Sequence, residues 1–119
     1  MDSGRRCVLV LEDSVLVAMA LEAALVDRGF DVIVAGSLAA ANERVGRVDL
    51  AAALLDLQLP DGSSVDLARS LHARGCPVAI CSGVDSNQGA DALPFARKFL
   101  KPVGAETLAA WVCEVTGGP

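Results

Sequence analysis

Leu50-Ala51-Ala52-Ala53-Leu54-Leu55-Asp56 runs through six apolar residues without interruption and then places a carboxylate at the end. A strand with one wet face alternates polar and apolar residues, so an unbroken run of this length suits a strand covered on both sides. Cys7-Val8-Leu9-Val10-Leu11 and Val32-Ile33-Val34-Ala35 upstream, and Val78-Ala79-Ile80-Cys81 downstream, have the same character, and Arg97 to Leu100 is a weaker fifth. Between the runs, the pattern predicts helices over Ser14 to Arg28, Leu38 to Val45 and Ser64 to Arg74, with a last one from Ala105 to Val115. The first three stop at Gly29, Gly46 and Gly75, where a left-handed C-cap is expected, and Ser63 with Asp66 reads as a capping box for the third. Strand and helix alternating five times over short connections imply an α/β, doubly wound parallel sheet with helices on both faces. Gly83 to Pro94 contains Ser86, Asn87 and Gly89 and is poor helix material, so the fourth helix is expected to be short or irregular.

The 119 residues are one domain's worth, enough to hide roughly two-thirds of the unfolded surface without disulfides or a structural metal. With 53% apolar and 21% charged residues, intrinsic disorder is excluded. Ten basic against fifteen acidic residues give a net charge of -5, which argues against nucleic acid as a partner. Cys7, Cys76, Cys81 and Cys113 form no C-x-x-C pair, and the single His72 cannot complete a zinc set with them, so they read as small hydrophobes of a reducing compartment. The apolar run after Arg5-Arg6 meets Glu12-Asp13 too soon for a signal peptide, and Val15 to Leu21 is far too short to span a membrane. The expectation is a single cytoplasmic domain over residues 1–119 with neither nucleic acid nor membrane as partner.

In open parallel sheets, ligands bind beyond the carboxyl ends of the strands. The first run ends in Glu12-Asp13, the third in Asp56, the fourth in Ser82 and the fifth in Lys101-Pro102, while the second ends in Gly36-Ser37 with no charge. Lys98 and Lys101 are the only lysines of the chain, so a lysine at a strand end is not a common event here. Each feature has an ordinary reading: acids at a helix start, a turn residue, a strand exit. Their joint placement on matching ends of four strands is the signal. Two carboxylates ~4 to 5 Å apart repel by roughly 3 to 4 kcal/mol at an effective dielectric near 20, so Glu12, Asp13 and Asp56 need a cation or a proton. An all-oxygen set without imidazole or thiolate favours a hard ion, and a shallow, half-hydrated site favours Mg2+ over Ca2+. Carboxylates, Mg2+, the Ser82 hydroxyl and Lys101 together make a site for a phosphoryl group, with an aspartate available as nucleophile.

V-L-V-L-E-D-S from Val8 to Ser14, L-L-D-L-Q-L-P-D-G from Leu54 to Gly62, A-I-C-S-G from Ala79 to Gly83 and F-L-K-P from Phe99 to Pro102 occur in order. Together they resemble the receiver domain of bacterial two-component response regulators across essentially the whole chain. The resemblance implies a flavodoxin-like five-stranded sheet in the order 2-1-3-4-5. It also implies phosphotransfer to an aspartate from a sensor histidine kinase or a histidine phosphotransfer protein, with a downstream protein as the unnamed recipient of the signal. By position, Asp56 matches the phosphoacceptor, Glu12 and Asp13 the acidic pair for Mg2+, Gln58 a metal ligand through its carbonyl, Ser82 the switch hydroxyl and Lys101 the phosphate-pairing lysine. Such a domain is no conventional enzyme, since it catalyses its own aspartyl phosphorylation. Ile80-Cys81-Ser82-Gly83-Val84 is similar to the Phe-Ala-Thr-Gly-Tyr motif of one receiver subgroup. Lys98 stands where receivers usually carry an aromatic, and Ser64 where a second glycine is usual, so output by ring rotation has no ring to use. The expectation is then that phosphorylation draws Ser82 inward and orders the loop behind it.

A haloacid-dehalogenase-like hydrolase is disfavoured because Gln58 stands where its acid/base is needed, and a dinucleotide site because Glu12-Asp13-Ser14 lacks glycine. A pseudo-receiver, which keeps the fold as an interaction module without phosphorylation, is the stronger alternative. The first helix expects a core stripe of Val17, Leu21, Ala24 and Leu25. Val15, Leu16, Met19, Ala23 and Val26 make its other faces apolar too, with Glu22 the only charge between Ser14 and Asp27. A surface helix normally has a polar face. A docking face for the phosphodonor, a homodimer seam and plain alanine-rich economy all fit that pattern.

Overall fold

Every strand of the central sheet runs in the same direction, which brings all their carboxyl ends to one rim. The computed structural model describes residues 5–46, 48–83 and 92–119. β1 (Cys7–Leu11), β2 (Asp31–Ala35) and β3 (Leu50–Asp56) are followed by a two-residue hairpin, β4 (Gln58–Leu59) and β5 (Gly62–Ser63), and then by β6 (Val78–Ser82) and β7 (Arg97–Leu100). The sheet order is β2-β1-β3-β6-β7, all parallel. Counting only the sheet strands, this is the 2-1-3-4-5 order of the flavodoxin-like α/β fold. The helices are α1 (Val15–Asp27), α2 (Leu38–Val45), α3 (Val65–Ala73) and α4 (Ala105–Thr116). The short or irregular helix expected between the last two sheet strands falls largely on residues 84–91, outside the described residues, and residues 92–96 are turns and irregular chain.

Alternation along the strands divides the core in two. Leu9, Leu11, Ala53, Leu55 and Ile80 pack toward α2 and α3, whereas Val8, Val10, Ala52, Leu54, Ala79 and Cys81 pack toward α1 and α4. Both faces are covered, and this is why the runs show no polar alternation. Cys76 and Cys81 are buried, Cys7 and Cys113 half-buried, and all four are free thiols. Burial pushes the Cys76 and Cys81 thiols up to about 11 and about 12, keeping them protonated and inert.

Glycine ends α1 and α3 as anticipated. Gly29 and Gly75 take φ of +92° and +84°, and Phe30 N and Cys76 N reach back to the carbonyls of Leu25 and Leu71. Two local readings need correction. The α1 stripe buries Ala18 with Leu21, Ala24 and Leu25, while Val17 is 43% exposed. A helix apolar on every side has no periodicity to set its rotation, so packing against the sheet sets it. At α3 the N-cap is Ser64 and not Ser63; Ser63 Oγ only accepts from Val65 N at 3.2 Å. The Ser64 hydroxyl turns inward and donates to the carbonyl of Asp56 at 2.6 Å.

Fully buried Ser64 therefore ties the start of α3 to the last residue of β3. Ser64→Ala leaves a buried carbonyl without that partner, and urea unfolding is expected to show a loss of about 1 to 2 kcal/mol. An unchanged midpoint would show that the bond carries no stability.

Candidate functional site

Parallel pairing decides which residues meet at the rim. Asp56 pairs with Cys81 across β3 and β6, and Ser82 with Leu100 across β6 and β7. Lys101 follows directly, its amide donating to the Ser82 carbonyl at 2.8 Å. On the other side, the Glu12 amide donates to the carbonyl of Ala35 at 2.9 Å, prolonging the β1–β2 ladder by one bond. Glu12 and Asp56 are 5% and 3% exposed, and Asp13 is exposed beside them.

Lys101 reaches into this group. Its Nζ lies 2.9 Å from Asp56 Oδ1 and 3.6 Å from Glu12 Oε1, and Glu12 Oε2 accepts from the Ser14 amide at 3.0 Å. Asp56 Oδ2 is buried and has no hydrogen-bond partner among the described residues. Burial pushes the Asp56 carboxyl up to about 7; the facing Glu12 adds to the rise and Lys101 opposes it. Glu12 feels burial too, but Asp56, the Ser14 amide and Lys101 outweigh it and hold the carboxyl below its ordinary value. Burial works against the Lys101 charge, yet Asp56 and Glu12 keep its ammonium above its ordinary value.

One oxygen from each of Glu12, Asp13 and Asp56 lies within 4.8 Å of the others, the spacing of a group able to hold a metal ion. The donors are all carboxylate oxygens and one of them, Asp56 Oδ2, lacks a partner, so the residues present fit a hard divalent cation such as Mg2+. The cavity over this rim is lined by Glu12, Asp13, Asp56 and Lys101, and Ser82 and Gln58 are not part of its wall. Ser82 is buried one residue beyond the strand partner of Asp56, and Gln58 is exposed on the β4–β5 hairpin.

Residues 8–112 match the profile of the response regulator receiver domain. The chain belongs to that family. Among solved structures, it is similar to a CheY-like receiver domain protein of Methanospirillum hungatei JF-1, with 19% identity over 96% of this chain and 95% of the other and a TM-score of 0.86. A response regulator receiver protein of Sinorhizobium medicae WSM419 is 20% identical over 98% of each chain, with a TM-score of 0.85. A sensor protein of Polaromonas sp. JS666 is 29% identical over 95% of this chain and 97% of the other, with a TM-score of 0.77. No curated protein sequence matches the chain significantly. Among the described residues no helix is long and apolar enough to cross a membrane.

The receiver has two structural devices at the site that motif spacing did not reveal. One is the Ser64 hydroxyl behind Asp56. The other is Asp61, whose two carboxylate oxygens accept from the amides of Leu38 and Ala39 at 2.9 and 3.0 Å, docking the hairpin after Asp56 onto the start of α2. Those amides hold the Asp61 carboxyl below its ordinary value. At position 98, Lys98 Nζ donates to the Leu93 carbonyl at 2.9 Å. The neighbouring rings are committed elsewhere: Phe99 meets Trp111 edge-on at 6.4 Å and Phe95 stacks on His72 at 3.9 Å. Output by an aromatic at position 98 is closed to this receiver for lack of a ring.

The pH dependence of stability without metal follows from Asp56. Its folded-state pKa of about 7 lies above the ordinary 3.8, so its contribution is complete below about pH 4 and is lost as pH rises through 7. Asp56→Asn removes this dependence. In chelator at pH 8 that variant is expected to be more stable than the parent by about 4 kcal/mol, with the gap closing toward pH 4. Urea midpoints across that range give the measurement, and a gap independent of pH contradicts the assignment.

Proposed function

We propose that Asp56 accepts a phosphoryl group from the phosphohistidine of a sensor histidine kinase or a histidine phosphotransfer protein, and that the chain signals through the resulting change at the rim. The observation that carries this reading is the asymmetry of the Asp56 carboxylate. Lys101 holds Oδ1 at 2.9 Å, while Oδ2 is buried at the cavity without a partner. A carboxylate held through one oxygen and unpaired at the other is oriented for nucleophilic attack.

In the step itself, an Asp56 oxygen forms a bond to phosphorus as the P–N bond of the donor imidazole breaks. The imidazole nitrogen leaves with the electron pair. Glu12, Asp13 and Asp56, with the main-chain carbonyl of Gln58, are the residues proposed to hold Mg2+. When bound, the ion offsets the charge between the carboxylates and the incoming phosphoryl oxygens. Lys101 pairs with the phosphoryl group after transfer, and the Ser82 hydroxyl donates to it, which moves the backbone at the end of β6. A receiver confined to protein–protein interaction has the same fold, and labelling separates the two. Incubation with acetyl phosphate and Mg2+ is expected to add one phosphoryl group by intact mass, mapped to Asp56. Asp56→Asn and excess chelator are each expected to abolish it. Label elsewhere, or full labelling in chelator, overturns the reading.

The donor's docking face is proposed to be α1. Leu16 and Met19, next to the acidic rim, are 80% and 60% exposed, and Val15 and Val26 join them. Leu16→Lys with Met19→Lys is expected to slow transfer from a protein donor at least tenfold while leaving acetyl phosphate labelling unchanged. Equal loss with both donors argues against this face.

A further inference from the structure

The chain from Asp56 to Ser64 is tied down at its base and, separately, at its tip. At the base, the Leu57 amide donates to the Cys81 carbonyl at 3.0 Å, the Ser64 amide to the Leu57 carbonyl at 2.9 Å and the Ser64 hydroxyl to the Asp56 carbonyl. At the tip, Asp61 accepts from the amides of Leu38 and Ala39. Among the described residues, these two are the only side-chain hydrogen bonds that tie residues 58–62 to another element. Gly62, at a φ of +136°, lies so close to α2 that a Cβ there would stand 3.3 Å from Leu38 Cδ1. Leu59 is buried in the core cluster against which Leu38 packs. The β4–β5 hairpin is thus seated on the first turn of α2, with Gln58 exposed.

We infer that Asp61 is a positioning residue of the metal site, and that its clamp on α2 sets where the main-chain carbonyl of Gln58 stands for Mg2+. The inference rests on the reading of Glu12, Asp13, Asp56 and the Gln58 carbonyl as the residues that hold the ion. Facing residues of an antiparallel pair alternate between hydrogen-bonded and non-bonded pairs. The bond from Ser64 to Leu57 makes those two a bonded pair, so Gln58 opposite Ser63 is a non-bonded one. The Gln58 carbonyl therefore carries no ladder bond and is available to a ligand. Gln58 also lies off the wall of the rim cavity, so its place depends on the stance of the hairpin. The buried carboxylates differ: Asp56 ends β3 and is held by Lys101, and Glu12 follows β1 and is held by the Ser14 amide. Groups that orient a metal ligand without touching the ion commonly change metal affinity by roughly 10- to 100-fold. Asp61 stands in that relation to Gln58.

The test is affinity for Mg2+ alone, followed through the amide NMR shifts of Glu12, Asp13 and Asp56. Asp61→Ala is expected to raise the dissociation constant about tenfold. Asp61→Asn keeps an acceptor oxygen for one of the two amides and is expected to raise it by less. Ser37→Ala is the control, because the Ser37 hydroxyl caps the same helix by accepting from Ala40 N at 3.1 Å without bonding to the hairpin. That variant is expected to bind Mg2+ as the parent does. In labelling with acetyl phosphate, Asp61→Ala is expected to need about tenfold more Mg2+ for half its maximal rate, and to reach the parental rate at saturation. Parental Mg2+ affinity in Asp61→Ala, or an equal loss in Ser37→Ala, overturns the positioning role while leaving the metal site intact. If Asp61→Ala does not fold, Asp61→Asn decides: binding weaker than in Ser37→Ala supports the role, and parental binding overturns it. Absence of Mg2+ shifts in the parent overturns the metal reading and this one with it.

Discussion

A carboxylate at the end of a strand covered on both faces is costly to bury unless a cation meets it. Asp56 is in that position, and the ammonium of Lys101, 2.9 Å away, is what meets it. The contact is possible because β3, β6 and β7 are parallel and adjacent. β7 therefore ends at the same rim as β3 and delivers Lys101 from one strand beyond Ser82. Glu12 arrives from the other side in the same way, since β1 is the other neighbour of β3. One lysine cannot neutralise three carboxylates; burial first, and the facing Glu12 second, push Asp56 toward its protonated form, while Glu12 is held below its ordinary value.

The architecture behind the site supports that imbalance. Asp56 is fixed from below by the Ser64 hydroxyl on its carbonyl, and the hairpin that follows is anchored through Asp61 to the first amides of α2. The main chain on both sides of Asp56 is consequently anchored, which fixes where its carboxylate stands. Lys98, on β7, ties that strand to the Leu93 carbonyl.

Much of this was legible in the chain. Unbroken apolar runs identified four of the five sheet strands to within about a residue at their ends, since a doubly covered parallel strand has no polar face to confuse the pattern. Glu12, Asp13, Asp56 and Lys101 could be singled out because each follows an apolar run directly, and the structure gathers these four around one cavity. Ser82 was marked by the same placement, Gln58 only by the resemblance to receiver domains, and both lie off its wall. Ser63 had the form of a capping residue, yet Ser64 took that place because its hydroxyl can reach the buried Asp56 carbonyl.

Local composition by itself determined the class of fold, the direction of the strands and the residues that close each one. Those properties depend on hydrophobic period, on glycine at helix ends and on the short connections that force parallel crossovers. Tertiary structure alone decided how α1 is rotated, because a helix apolar all round carries no phase and Ala18 rather than Val17 fits against the sheet. It also decided which Asp56 oxygen meets Lys101 and that Asp61 reaches α2 across more than twenty residues of chain. Each of these depends on distances between segments remote in sequence, which residue spacing along one chain does not encode.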